Sequence, residues 1–132
     1  MVMYILDTNT LIYFFKGMGD VATHLLQISP HAIGIPTIVI YELEVGIAKS
    51  NSPQKRLQQF REITSIVNII PFTEEIARIS AAIRVKLEKK GAPIGPLDIL
   101  IAGTALANNA ILVTHNIKEF KRIKKLKIED WY

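Results

Sequence analysis

The sequence predicts an α/β layered domain built on a central, mainly parallel sheet of four to five strands, and three observations predict it. Short apolar, β-prone runs alternate along the chain with longer stretches of helical pattern, the order that builds βαβ units. The strand-like runs are almost free of charge, as strands covered on both faces of a parallel sheet are. The third is composition: 49% of the 132 residues are apolar and 21% charged, which suits a well-packed globule and argues against disorder. No repeat, low-complexity tract or linker divides the chain, so residues 1–132 read as a single domain, long enough to bury a core without staples.

Residues 2–6 form a short apolar run closed by Asp7-Thr8-Asn9-Thr10, and read as a buried strand. Those four residues favour N-caps, so a helix starts there and carries Leu11, Ile12, Phe14 and Phe15. Gly17 and Gly19 break it, and residues 20–28 offer a second helix. After a turn at 29–31, residues 32–35 read as the second strand, stopped by Pro36, and Thr37 is placed to cap a helix reaching about Lys49. Residues 50–53 link it to an amphipathic helix, 54–63, that faces Leu57, Phe60 and Ile63 inward. Residues 65–70 are a third strand.

Thr73 caps a long helix, 74–90, whose Glu74 and Glu75 complement its dipole. A Gly/Pro loop, 91–95, leads into a helix that is apolar nearly all round, and Pro96 suits its first turn. Residues 110–114 are the fourth strand, 115–121 open a short helix, and 127–129 make a last edge strand. Met1, Met3 and Met18 read as packing residues.

Three of the apolar runs each deliver a carboxylate with no cation nearby. Residues 1–15 carry Asp7 as their one acid, residues 32–47 are uncharged until Glu42, and residues 93–114 hold Asp98 as their single charge. An isolated carboxylate in a dry interior costs tens of kcal/mol by idealised Born arithmetic, so such groups are paired, neutralised or bound to metal. Asp7 also has a plainer use, as the cap of the helix behind it. On the 37–49 helix Glu42 falls between apolar neighbours, whereas Glu44 lies toward the polar end, so Glu42 is the candidate. Ligands of parallel sheets sit beyond the carboxyl ends of the strands, where Asp7 and the turn from Thr114 to Asn116 are placed and the helices of Glu42 and Asp98 begin.

Three converging carboxylates need a cation or a shared proton: two unit charges about 4 Å apart repel by roughly 4 kcal/mol at an effective dielectric of 20. With no cysteine in the chain, thiol catalysis, disulfides and zinc–thiolate sites are excluded. All-oxygen ligation points to Mg²⁺ or Mn²⁺, which can supply a water nucleophile and stabilise a phosphoryl group. Thr8, Asn9, Thr114 and Asn116 lie where hydroxyls and amides can orient ligands or water. His24 and His31 read as surface residues, and His115 adjoins the site as a minor candidate for substrate contact.

Net charge is +4, unevenly distributed. Residues 118–127 hold six Lys/Arg and one Glu, so Lys121, Arg122, Lys124 and Lys125 are the candidates for contact with a phosphate backbone. A second basic group, Arg84, Lys86, Lys89 and Lys90, reads as a solvated helix end. The N-terminal apolar run is too short for a signal peptide, and no span suits a membrane; a cytoplasmic protein is the expectation.

At LDTN, YELEVG, GAPIGPLDILIAGTA, LVTHNIKEF and the terminal EDWY, the chain resembles the PIN-domain ribonucleases, specifically VapC-type toxins of toxin–antitoxin pairs. The resemblance spans the whole length. It implies a PIN-like, Rossmann-like α/β/α sandwich, a homodimer, Mg²⁺- or Mn²⁺-dependent endoribonuclease activity, and inhibition by a VapB-type antitoxin. Asp7, Glu42 and Asp98 match the family's acidic metal-binding positions, Thr8 and Asn9 the polar residues beside the first, and Thr114 the hydroxyl after the fourth strand. Many PIN domains carry a fourth Asp where this chain has Asn116, with Glu119 three residues on as a substitute or with one metal sufficing. The GAPIGPLD and THNIKEF stretches resemble toxins that cut initiator tRNA in its anticodon arm. A haloacid-dehalogenase-type phosphatase is disfavoured by Asn9 in DTNTL, and a receiver domain by the lack of an acid ending the third strand. A non-catalytic RNA-binding PIN-like module is the rival from another class, with no use for three unpaired buried acids.

Overall fold

A computed structural model describes residues 2–132. Its strands are β1 (Tyr4–Leu6), β2 (Ile33–Pro36), β3 (Asn68–Ile70), β4 (Ile111–Val113) and β5 (Lys127–Glu129). They form one five-stranded sheet in the order β3-β2-β1-β4-β5, and every pairing is parallel. In register, Ile5 lies between Gly34 of β2 and Leu112 of β4. Parallel pairs need crossover connections, here supplied by the helices. These are α1 (Thr8–Lys16), α2 (Val21–Leu26), α3 (Thr37–Ala48), α4 (Pro53–Thr64), α5 (Glu74–Lys89), α6 (Pro96–Ala107) and α7 (Ile117–Phe120), with a 3-10 turn at Pro30–Ala32.

Strand order reverses around β1: the chain first steps outward through β2 to β3, then returns to β4 on the other side. Right-handed crossovers put α1–α4 on one face and α5–α7 on the other. Packing follows that division, with α1 against α2 and α3, α3 against α4, and α5 against α6. Alpha-3 also touches α6. The core runs through both layers, from Ile5, Leu6, Ile35 and Leu112 of the sheet to Leu11, Val39, Ile101 and Phe120 of the helices. Alpha-5 and α6 lie very close, because Gly103 leaves no room for a Cβ against Ser80, whose buried hydroxyl has no hydrogen-bond partner among the described residues.

The predicted elements are present, with local corrections. Residues 65–67 are not strand: Ser65 and Ile66 donate their amides to Arg61 and Ile63, closing the last turn of α4 before β3 begins. Thr37 does not cap α3; it is the first helical residue, and Pro36 holds the cap position without a side-chain hydrogen bond. Thr73 does cap α5, accepting from the Ile76 amide at 3.2 Å. Met18 is 39% exposed on the Gly17–Gly19 break and so packs little, whereas Met3 rests on the core. Met1 lies outside the described residues.

Candidate active site

Asp7 follows β1 at the point where strand order reverses, the crevice in which open parallel sheets hold their ligands. It is both a helix cap and more. Its Oδ1 accepts the Thr10 amide at 2.9 Å, closing the first turn of α1, while Oδ2 accepts the Thr114 hydroxyl at 2.6 Å from the end of β4. The carboxyl is 4% exposed. Burial raises its pKa, the hydrogen bonds from Thr10 and Thr114 work against that, and the charge of Asp130 adds a little to the rise. Each carboxylate oxygen has room for a second partner, so neither is used up by the fold.

Thr114 is fully buried and serves two groups at once, because its oxygen also accepts the Asn116 amide at 3.0 Å. Thr10 anchors the other side, donating its hydroxyl to the Val113 carbonyl at 3.1 Å. Thr114→Val keeps the shape and removes a hydrogen bond to a charged acceptor, an interaction worth about 1.5–3 kcal/mol. The urea midpoint is expected to fall by that equivalent with an unchanged m-value, and any activity of the site by about 10–100-fold, the usual loss for a group that orients a ligand. An unmoved midpoint with full activity would remove Thr114 from this role.

Glu42 is half-buried on α3 and its Oε1 accepts the Thr8 hydroxyl at 2.6 Å, which ties α3 to the start of α1. Glu44 is exposed, as the helical spacing requires. Asp98 occupies the first turn of α6, facing the helix dipole's positive end. Its carboxyl folds back over Gly95, where a methyl group would lie 3.3 Å from Oδ2. Partial burial first, then the negative charges of Asp7, Glu42 and Glu119, push its pKa up to about 6. One carboxyl thus senses the other three.

Asn116 and Glu119 join the far side of this crevice, the Asn116 amide donating to Glu119 Oε2 at 3.1 Å. Asn9 is exposed, one position round α1 from Thr8, and makes no side-chain hydrogen bond among the described residues. His115 has partners of its own: its Nδ1 lies 2.9 Å from Asp130 Oδ2 and its ring stacks on Tyr132 at 4.3 Å. Sequence reasoning missed Thr10, Asp130 and Gly95. Thr10 lay within the run of capping residues, and a small residue three before an N-terminal acid is a readable signal for space; Asp130 had none. Of the basic candidates, Arg122, Lys124 and Lys125 line a groove against α5, and Lys121 is exposed outside it.

Among the described residues, none of Asp7, Glu42, Asp98 and Glu119 is ion-paired. Four acids with hard oxygen donors and no thiolate suit Mg²⁺ or Mn²⁺ better than softer metals. No three His, Asp or Glu side chains of the described residues gather tightly enough to enclose an ion by themselves. A cation held here would take the rest of its ligands from water, as Mg²⁺ can.

Comparisons with known proteins place the fold in a family. The PIN domain family model matches residues 4–126. The chain is 38% identical to ribonuclease VapC2 of Rickettsia felis, over 98% of each chain. It is 33% identical to the tRNA(fMet)-specific endonuclease VapC of Salmonella typhimurium, over 99% of each. It superposes with a TM-score of 0.92 on a chain of the crystal structure of R. felis VapBC2 bound to a promoter DNA fragment, at 37% identity, covering 99% of this chain and 100% of that one. Among the described residues no helix is long and apolar enough to cross a membrane.

Proposed function

The chain belongs to the PIN-domain family, and from that footing we propose that it is a metal-dependent endoribonuclease, the toxin of a toxin–antitoxin pair, that hydrolyses phosphodiester bonds of a transfer RNA at the Asp7–Glu42–Asp98 crevice. The observation that carries this reading is Asp98, held half-buried among three further acids, none of them ion-paired among the described residues. Full-length likeness to proteins named as ribonucleases supports the reaction, likeness to a tRNA(fMet)-specific endonuclease supports the substrate, and the fold shared with a VapBC complex supports a VapB-type antitoxin as partner.

Asp7, Glu42 and Asp98 would hold Mg²⁺ or Mn²⁺, with Glu119 on the rim opposite. Bound there, the cation supplies Lewis-acid stabilisation of the phosphoryl oxygens and a more acidic water. The chain does the rest. Thr114 and the Thr10 amide fix the Asp7 carboxylate in one orientation, and Thr8 does the same for Glu42, so their free lone pairs face the crevice without reorganisation. The half-buried position of Asp98 thins the water around the site and strengthens each charge interaction in it.

The test is incubation of purified, antitoxin-free protein with total tRNA in Mg²⁺, in Mn²⁺ and in EDTA, alongside Asp7→Asn. Metal-dependent cutting of a single tRNA species, absent from EDTA and from the variant, is the expected result. Binding without cutting under any metal would overturn it in favour of a non-catalytic RNA-binding module.

A further inference from the structure

The basic residues do not form the two separate groups that their sequence positions suggest. Arg84 is spoken for, donating to Glu88 at 2.9 Å one turn along α5. Lys86 and Lys90, one turn apart on the same helix, instead line one side of a groove whose other side is Arg122, Lys124 and Lys125. The groove holds a cavity of about 270 Å³. No acid lines it, and among the described residues none of the five cations is ion-paired. The Lys90 ammonium is held below its ordinary pKa by Lys124 first, then by slight desolvation and by Lys86, so these charges crowd one another. Such a cluster attracts a polyanion.

Its floor is apolar. Ile79 and Ile83 of α5 and Leu106 of α6 lie partly exposed beneath the cations. The cavity falls just short of the roughly 300–1,000 Å³ of pockets that take a whole small molecule, a size for one group of a larger ligand. At one end of the groove Arg122 Nη1 donates to the Pro93 carbonyl at 2.9 Å, in the loop that turns into α6 and Asp98.

Resting on the nuclease reading above, we propose that this groove is a substrate subsite remote from the acids, which seats one unstacked nucleotide of the RNA, its base on Ile79, Ile83 and Leu106 and the flanking phosphates on Lys86, Lys90 and Lys124. Cations above an aliphatic floor match the two faces of a single-stranded nucleotide, anionic backbone and apolar base. With no aromatic ring to stack on, the floor reads no sequence; it adds affinity and sets the register of the strand that reaches the acids.

The experiment is fluorescence anisotropy of a labelled single-stranded RNA decamer of mixed sequence, in EDTA so that nothing is cut, over about 50–200 mM salt, the range where phosphate contacts show most. The variants are Lys86→Gln/Lys90→Gln/Lys124→Gln and an equal-charge control on α3 and α4, Lys49→Gln/Lys55→Gln/Arg61→Gln. All six side chains are exposed, so neither variant disturbs the core. The groove variant is expected to lose about tenfold or more in affinity, with the slope of log K against log salt shallower by about 2, or about 0.7 for each of three lost single-strand phosphate contacts. Ala82→Phe, which fills the cavity from an exposed position without changing charge, is expected to weaken binding and leave the slope alone. Equal losses from the two triple variants would overturn the subsite, since net charge alone would then explain them. Unchanged RNA binding by the groove variant would also overturn it and leave the groove to an acidic peptide. Cleavage of total tRNA by the unaltered protein is read in parallel: a protein that shows the slope change but cuts nothing contradicts the nuclease reading and leaves the subsite standing.

Discussion

Asp98→Asn is expected to abolish RNA cleavage while making the metal-free protein more stable. The carboxyl's folded pKa of about 6 lies above its ordinary 3.8, so the folded state binds the proton more tightly than the unfolded chain does. For an acid shifted in that direction, stability is greatest below about pH 4, falls as pH rises through about 6, and stays low above it. At neutral pH the native protein therefore carries a half-buried charge repelled by Asp7, Glu42 and Glu119. The asparagine amide keeps the size and removes the charge, for a gain on the order of 1 kcal/mol once solvent screening is allowed for. Thermal unfolding in EDTA should show a higher Tm for the variant at pH 7.5 and no difference near pH 4. Added Mg²⁺ should raise the Tm of the native protein by mass action and that of the variant far less. Cleavage should fall by about 10²–10³-fold or more, the cost of deleting one electrostatic element from an active site. Unimpaired cleavage by the variant, or an equal response of both Tm values to Mg²⁺, would sink the assignment.

The second large effect is of pH on the native enzyme. On the proposed reading, proton and cation compete for the same carboxylates, so cleavage needs Asp98 ionised. At fixed Mg²⁺ the rate should climb about tenfold per pH unit up to a midpoint at or below about 6, then level off. Below that midpoint the profile steepens toward two protons, because burial also raises the Asp7 pKa. More Mg²⁺ should move the rising limb to lower pH, which a group remote from the cation would not do. A flat profile from pH 4.5 to 7.5 would rule out Asp98 as a group that must lose its proton.

Most of the crevice could be read from the chain because burial and charge conflict so openly there. Asp7, Glu42 and Asp98 each interrupt an apolar run, and that conflict needs no tertiary information to notice. Glu42 was separable from Glu44 by helical spacing alone, and α3 half-buries Glu42 and exposes Glu44 accordingly. What stayed hidden depends on distant partners. Thr114 stood out as an orienting hydroxyl, but its partner, Asp7, lies 107 residues away, and the Asp130 charge reaches the same carboxyl from beyond β5. The groove was hidden for the same reason. Lys86 and Lys90 look like an ordinary helix end until the fold sets Lys124 and Arg122 beside them. Residues 65–67 misled because an apolar, β-branched pair suits a strand, while the amides of Ser65 and Ile66 were already committed to closing α4.

The sheet's pairing scheme also governs time. No strand pairs with a neighbour through a hairpin, and the central strand, β1, waits for β4 to arrive from more than a hundred residues away. Non-local pairing of this kind is slow to form. Translation proceeds at about 5–20 residues per second, so a nascent chain spends most of its synthesis with Asp7 made and its partners absent. The catalytic crevice cannot be assembled piecemeal. The Asp7–Thr114 contact forms only when β4 closes against β1.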